Sequence, residues 1–255
     1  MGRLIFTFLL FPLHLFAIAN INVIDINEKD GNETKKGFYG EVELAFNSSF
    51  GNSLTREYHI ETALIYFGVD NFWLLKGSYT YESNYVDDID DYEEVVNESF
   101  WHLRNVRGWS KRTAIEIFGQ TQHDQFQSLQ LRALAGLGFR FQPFLNGFYI
   151  GLSPMFVHEE YTRTYLNAFD TYRLNSYISY KTAVGERGKF QFKSYYQPRF
   201  DEYSDYAISS SVQYRHRIST KLSLSIKLLY EYDSSPVDSI ETYDFEQKTT
   251  LIYEF

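Results

Sequence analysis

From Gly37 to the final residue, apolar side chains recur at every second position in run after run, and this alternation limits the chain's possible folds more than any other feature. Leu129, Leu131, Ala133, Ala135, Leu137, Phe139 and Phe141 form one face, against Ser128, Gln130, Arg132, Leu134, Gly136, Gly138 and Arg140 on the other. A helix would scramble both sets, whereas a strand keeps them apart. The same pattern sets Leu222, Leu224, Ile226, Leu228, Tyr230 and Tyr232 against Lys221, Ser223, Ser225, Lys227, Leu229 and Glu231. Twelve such runs are read, near 37–49, 53–68, 71–83, 97–107, 112–123, 126–142, 146–160, 170–183, 187–200, 203–217, 220–233 and 241–255. Most exceed both the roughly 5–6 residues of a soluble strand and the roughly 9–11 that a tilted strand needs to cross a bilayer.

The connections point the same way. Outer-membrane barrels have short turns on the periplasmic side and longer loops outside. The second, fourth, sixth, eighth and tenth connections are brief, at Val69-Asp70, 108–111, 143–145, 184–186 and Ile218-Ser219. Three of the others, Glu82 to Val96, Tyr161 to Asp170 and Asp233 to Ile240, are long and polar. The expected fold is therefore all-β: a transmembrane antiparallel up-and-down barrel of about twelve strands with both termini in the periplasm. A secreted β-sandwich is the competing architecture. It would need the outward rings as an internal core and would leave the terminal strand unexplained.

Composition narrows the function classes. Aromatic residues make up 19% of the chain, with 22 Tyr, 23 Phe and 3 Trp, too many rings for a disordered segment. The absence of Cys removes disulfides, thiolate metal sites, cysteine nucleophiles and a lipidated N-terminal cysteine. A net charge of −9 argues against a nucleic-acid partner, which requires an excess of Lys and Arg. At the N-terminus, Arg3 precedes an apolar run from Leu4 to Ala19 that ends Ala17-Ile18-Ala19 before Asn20, which reads as a signal peptide (residues 1–19) cleaved after Ala19. Residues 20–36 read as a polar periplasmic linker, and the barrel as 37–255. An uncleaved anchor is the alternative, but the run is shorter than a spanning helix needs. The expected location is the bacterial outer membrane.

The chain stops inside a strand, with Leu251, Tyr253 and Phe255 on one face. This terminal pattern is read as the signal that the outer-membrane barrel assembly machinery recognises. Together with Gly37-Phe38-Tyr39-Gly40-Glu41, Phe50-Gly51-Asn52-Ser53-Leu54-Thr55, Asp124-x-Phe126-x-x-Leu129-x-x-Arg132-x-x-x-Gly136-x-Gly138 and Tyr232-Asp233-Ser234-Ser235-Pro236, it resembles the salt-induced outer-membrane proteins of Gram-negative bacteria. That domain family has no established function, and the resemblance implies an outer-membrane barrel without an assigned activity. The acidic segment Asp87 to Glu94 is longer than the family pattern.

The two faces divide the functional candidates. Outward rings, among them Phe38, Trp73, Tyr79, Phe156, Tyr172, Tyr214 and Tyr243, are expected to meet lipid and lipopolysaccharide. Inward, Glu41, Glu43, Glu57, Glu61 and Glu116 would form an acidic wall in the early strands. Arg173, Lys181, Lys189, Lys193, Arg199, Arg215, Lys221 and Lys227 would form a basic wall in the later ones, with Arg132 and Arg140 pairing into the acidic half. Such walls could select small polar solutes or ions in a narrow channel, or interlock and plug the barrel. In the plugged reading, the acidic run Asp87 to Glu94 could bind divalent ions or lipopolysaccharide, although it lacks the spacing of an EF-hand loop. A lipid-processing enzyme is the third class, with His123 near Asp124 and His158 beside Glu159 and Glu160 as the histidines to follow, though neither lies in a lipase or protease motif. No cofactor and no metal ligand set is expected.

Overall fold

The computed structural model describes residues 36–49, 55–86, 91–125, 128–143, 145–162, 168–236 and 241–254. The leader with Ala17, Ala19 and Asn20, nearly all of the linker, and Phe255 lie outside the described residues.

Every regular element among the described residues is a strand. In chain order they are β1 (Gly37–Ser49), β2 (Thr55–Phe67), β3 (Asn71–Val86), β4 (Asp91–Gly108), β5 (Thr113–Asp124), β6 (Leu129–Phe141), β7 (Phe148–Tyr161), β8 (Phe169–Val184), β9 (Gly188–Pro198), β10 (Tyr206–Arg217), β11 (Leu222–Asp233) and β12 (Tyr243–Glu254). Each pairs antiparallel with the next, and β12 returns to β1 at Glu41–Glu254, Val42–Tyr253 and Glu43–Ile252, closing a barrel. Stepping across the sheet at right angles to the strands brings the path back to β1 about 16 residues from its start, a stagger that for twelve strands means a tilt of about 45° and a backbone radius of about 12 Å. At that radius Arg, Tyr and Phe side chains from non-neighbouring strands can meet inside.

The polarity is the reverse of a soluble barrel. Ile60, Leu64, Leu75, Leu103, Ile117, Leu137, Leu152, Ile178, Leu224, Ile226 and Leu251 are exposed on the outside, while Arg104, Glu116, Lys193, Gln197 and Asn175 are buried within. Rings border this aliphatic band at both ends. Near the turns joining β2 to β3 and β4 to β5, Phe38 lies 4.7 Å from Tyr66 and Trp109 lies 6.0 Å from Phe139. At the opposite end stand Phe156 with Tyr172 (5.4 Å) and the row Tyr196, Tyr206, Tyr232 (5.5 and 5.7 Å). An apolar band between two aromatic girdles suits a bilayer core with headgroups on either side.

Both described termini lie at the end with the shorter connections, here the turn end; the other is the loop end. The contrast is milder than the sequence suggested at one hairpin. Instead of a long polar loop from Glu82 to Val96, β3 and β4 continue to the pair Val86–Asp91, so Glu93 and Glu94 stand in the ladder opposite Asn84 and Ser83. Tyr85 packs edge-on against Tyr92 at 5.4 Å, and such aromatic pairing favours extension of the hairpin. The acidic run is thus divided between a strand and the connection 87–90, which lies outside the described residues.

A second difference concerns Leu129. Strict alternation places it with the outward Leu131, but the register shifts between these residues and Leu129 is fully buried. One extra residue in a strand reverses the facing of everything beyond it. The register shifts at Glu82/Ser83 and Gln122/Asp124 also lie near the loop end.

Candidate functional site in the barrel lumen

The lumen is built unequally around its circumference. On the side of β4 to β8 it is filled. Glu116 on β5 is completely buried between Arg104 on β4 and Arg140 on β6, each with Nη1 at 3.7 Å from a carboxylate oxygen. The Tyr177 hydroxyl on β8 reaches both oxygens at 2.8 Å. Arg140 lies over the Tyr149 ring at 3.9 Å, and Arg104 over Phe118 at 5.2 Å, so the cations also meet the electron-rich faces of rings. Beside this knot, Phe118, Leu134, Met155 and Val157 join Ala207 of β10 in an apolar cluster.

Glycine makes the packing possible. A Cβ on Gly151 would fall 1.9 Å from the Tyr177 ring, and one on Gly136 would fall 2.2 Å from the Phe118 ring. Both rings therefore lie flat on bare backbone of the neighbouring wall.

Towards the loop end, ion pairs continue across the interior. Arg132 pairs with Glu159, which also accepts from Tyr161 at 3.2 Å. Arg173 bonds Asp205 at 2.7 Å and donates to the Gln197 carbonyl at 3.1 Å. Arg199 spans Asp205 (3.0 Å) and Asp201 (2.7 Å) in the connection after β9. Its guanidinium holds the Asp201 carboxyl below the usual carboxylate range.

The remaining sector is looser. Lys76 of β3 bonds Glu61 at 2.6 Å, with side chains 12% and 21% exposed. Lys248 of β12 donates to His59 Nε2 at 3.0 Å, and His59 Nδ1 meets the Thr80 hydroxyl at 2.9 Å, joining β12 to β2 across β1. Lys181, Arg215, Lys227 and Lys248 are half-buried and Lys189 is exposed, although they point into a closed barrel. Water therefore reaches this sector, whereas on the opposite wall Arg104 and Glu116 have none.

The expected wall residues fall as follows. Glu57 and Glu61 lie half-buried on the inner face of β2, and Glu116 lies in the knot. Glu41 and Glu43 stand in β1 opposite Ala63 and Glu61. Arg173 and Lys193 are buried, and Arg199 is half-buried. Lys221 departs from the basic wall: it precedes β11, in a turn not governed by strand alternation, and puts its ammonium 5.7 Å from the outward Tyr253 ring. Leu251 and Tyr253 face outward. Arg140 joins Glu116, whereas Arg132 pairs with Glu159 of β7.

The sequence reading missed Lys76 and Arg104, which share the inner parity of Leu74 and Val106. It also missed Lys248 and the two carboxylates Asp205 and Glu159. Their alternation was legible, but single charges between apolar neighbours carry little weight in a count of walls. His123 is half-buried and its ring nitrogen meets the Gln130 carbonyl at 3.0 Å. His158 sits on the outer face, held by Asp170 (2.7 Å) and Glu160 (3.1 Å).

An up-and-down barrel with an apolar exterior banded by rings and an ionisable interior is a transmembrane β-barrel of the outer-membrane type. The chain belongs to the family described as "Protein of unknown function, DUF481", matched over residues 42–255. No curated protein matches the sequence. Among solved structures, the fold is similar to the translocator domain of the autotransporter NalP from Neisseria meningitidis, with a TM-score of 0.52 at 6% identity, covering 89% of this chain and 90% of that one. It is also similar to the NanC porin, with a TM-score of 0.50 at 9% identity, covering 84% of this chain and 98% of that one. At such identities the likeness is one of fold.

Proposed function

We propose that this protein is a narrow, porin-like channel of the bacterial outer membrane that passes small polar or ionic solutes and carries out no catalysis. In line with its resemblance to salt-induced outer-membrane proteins, it serves envelope homeostasis. The observation carrying this reading is the half-buried, water-accessible set of ionisable side chains on the inner faces of β2, β3 and β9 to β12, opposite a wall that is packed shut. Confining water to one charged sector gives a path whose permeants are chosen by charge and size. The leader delivers the chain across the inner membrane, and Leu251, Tyr253 and Phe255 present it to the assembly machinery, with the turn end in the periplasm.

The test is single-channel recording of the refolded mature protein in a planar bilayer. Steady conductance above the bilayer background is expected; silence from a correctly folded barrel would refute the channel. One observation favours a plugged structural barrel as the second reading. The cluster from Phe118 to Ala207 and the knot at Glu116 tie strands of β4 to β8 and β10 together through the interior. In that reading its surface loops contact divalent ions or lipopolysaccharide, and conductance is absent.

A further inference from the structure

The wall formed by β8 to β11 has an unusual charge inventory. Between Arg173 and Tyr230 the only carboxylates are Glu186, in the turn after β8, and Asp201, Glu202 and Asp205, in the loop-end connection. The inner face of those four strands, from mid-barrel to the turn end, carries Lys181, Lys189, Lys193, Arg215 and Lys227 with no acid among them. The register sets Lys189 directly opposite Arg215, and Lys227 opposite Gln213 on one side and Lys248 on the other. Lys227 and Lys248 both contribute to the field at Glu61, so the row ends at the Glu61–Lys76 pair.

The positions between the cations are hydrogen-bonding groups. Ser211, Gln213 and Ser225 share the inner face, and the Gln213 amide already donates to the Ser225 hydroxyl at 2.7 Å. Away from this wall, Glu61 on β2 pairs with Lys76, and Glu116 on β5 is enclosed by Arg104 and Arg140. Several like charges along one low-dielectric wall raise the local concentration of counter-ions well above bulk. Amide and hydroxyl donors beside them suit an ion with several acceptor oxygens better than a bare halide.

We infer that the β8–β11 wall is a track for oxyanions, carboxylate, sulfate or phosphate groups on small solutes, entered from the turn end. This rests on the channel reading and names its solute class. The sign of the selectivity comes from the acid-free wall, and Glu61 acts as a resident counter-charge at its inner end.

Reversal potentials in a salt gradient test it. The wild-type barrel should be anion-preferring, with sulfate or phosphate lowering chloride current by competition. The double variant Lys189→Glu/Lys227→Glu should shift the anion-to-cation permeability ratio several-fold and take it below one. Lys221→Glu, the same charge reversal at one site on the outer rim, should leave the ratio unchanged. Cation preference in the wild type, or an equal shift in Lys221→Glu, overturns the track while leaving the channel standing. If the refolded barrel does not conduct, the channel reading falls, and calorimetric titration with sulfate decides the track on its own. Binding that disappears in the double variant upholds it as an oxyanion site, and no binding overturns it.

Discussion

Replacing Glu116 removes the one carboxylate shared by Arg104, Arg140 and the Tyr177 hydroxyl, all in a part of the lumen without solvent contact. Breaking a buried ion pair by deleting one partner costs about 3–5 kcal/mol, because the other charge stays buried and unbalanced. Here two guanidiniums are left, but their ring contacts with Phe118 and Tyr149 persist. An orphaned hydroxyl adds about 1–3 kcal/mol. Water entering the space vacated in Glu116→Ala offsets part of this, so the lower end of the sum applies, about 4 kcal/mol, a shift of roughly a thousandfold in the folding equilibrium. Glu116→Gln keeps an acceptor for Tyr177 and should lose about half as much, and Tyr177→Phe about 1–2 kcal/mol. Urea unfolding in detergent micelles, followed by fluorescence and by gel mobility of unheated samples, measures all three. In a double-mutant cycle Glu116→Gln and Tyr177→Phe should couple by about 1 kcal/mol. If Glu116→Ala unfolds within about 0.5 kcal/mol of wild type, the knot does not hold the barrel and the reasoning fails.

Three further outcomes follow from the same coordinates. Gly138→Ala places a Cβ 2.2 Å from the Leu152 carbonyl oxygen and should destabilise by about 1–3 kcal/mol, whereas Gly119→Ala, with 3.7 Å of room, should be neutral or better in the same unfolding assay. Leu137→Arg, on the outer face opposite Ile117, should cost about 2–4 kcal/mol in lipid vesicles and much less in detergent, where the charge can rehydrate. Asp201 lies outside the spanning strands with its carboxyl held below the usual value by Arg199, so its contribution is complete above the ordinary carboxylate pKa of about 4 and is lost as pH falls through the lower folded value. Hydrogen exchange across residues 199–205 should therefore be pH-independent, once corrected for intrinsic rates, down to about pH 4 and lose protection below it, and Asp201→Asn should abolish that step.

Strand number, order and facing were legible because a strand's side-chain period is local: each residue's side is set by its neighbour's. Every expected run became a strand with ends shifted by a few residues. The exceptions have identifiable causes. Leu129 and the β3–β4 hairpin lie where the register slips or where cross-strand aromatic pairing prolongs the ladder, and both depend on residues far away in sequence. Lys221 escaped the alternation because it belongs to a turn.

The linear pattern by itself determined that this chain makes a twelve-stranded barrel with rings outside and charges inside, since hydrophobic periodicity needs only nearest neighbours to be read. Which interior charges meet was decided by the closed tertiary structure. Stagger and tilt determine which inward residues on different strands share a level, so Tyr177 reaches Glu116, Lys248 reaches His59, and Arg132 finds Glu159. The same closure left one wall filled and the other wet, a division that depends on glycines at Gly136 and Gly151 lying beneath rings from other strands. Packing of this kind is a property of distances in three dimensions, and no one-dimensional period encodes it.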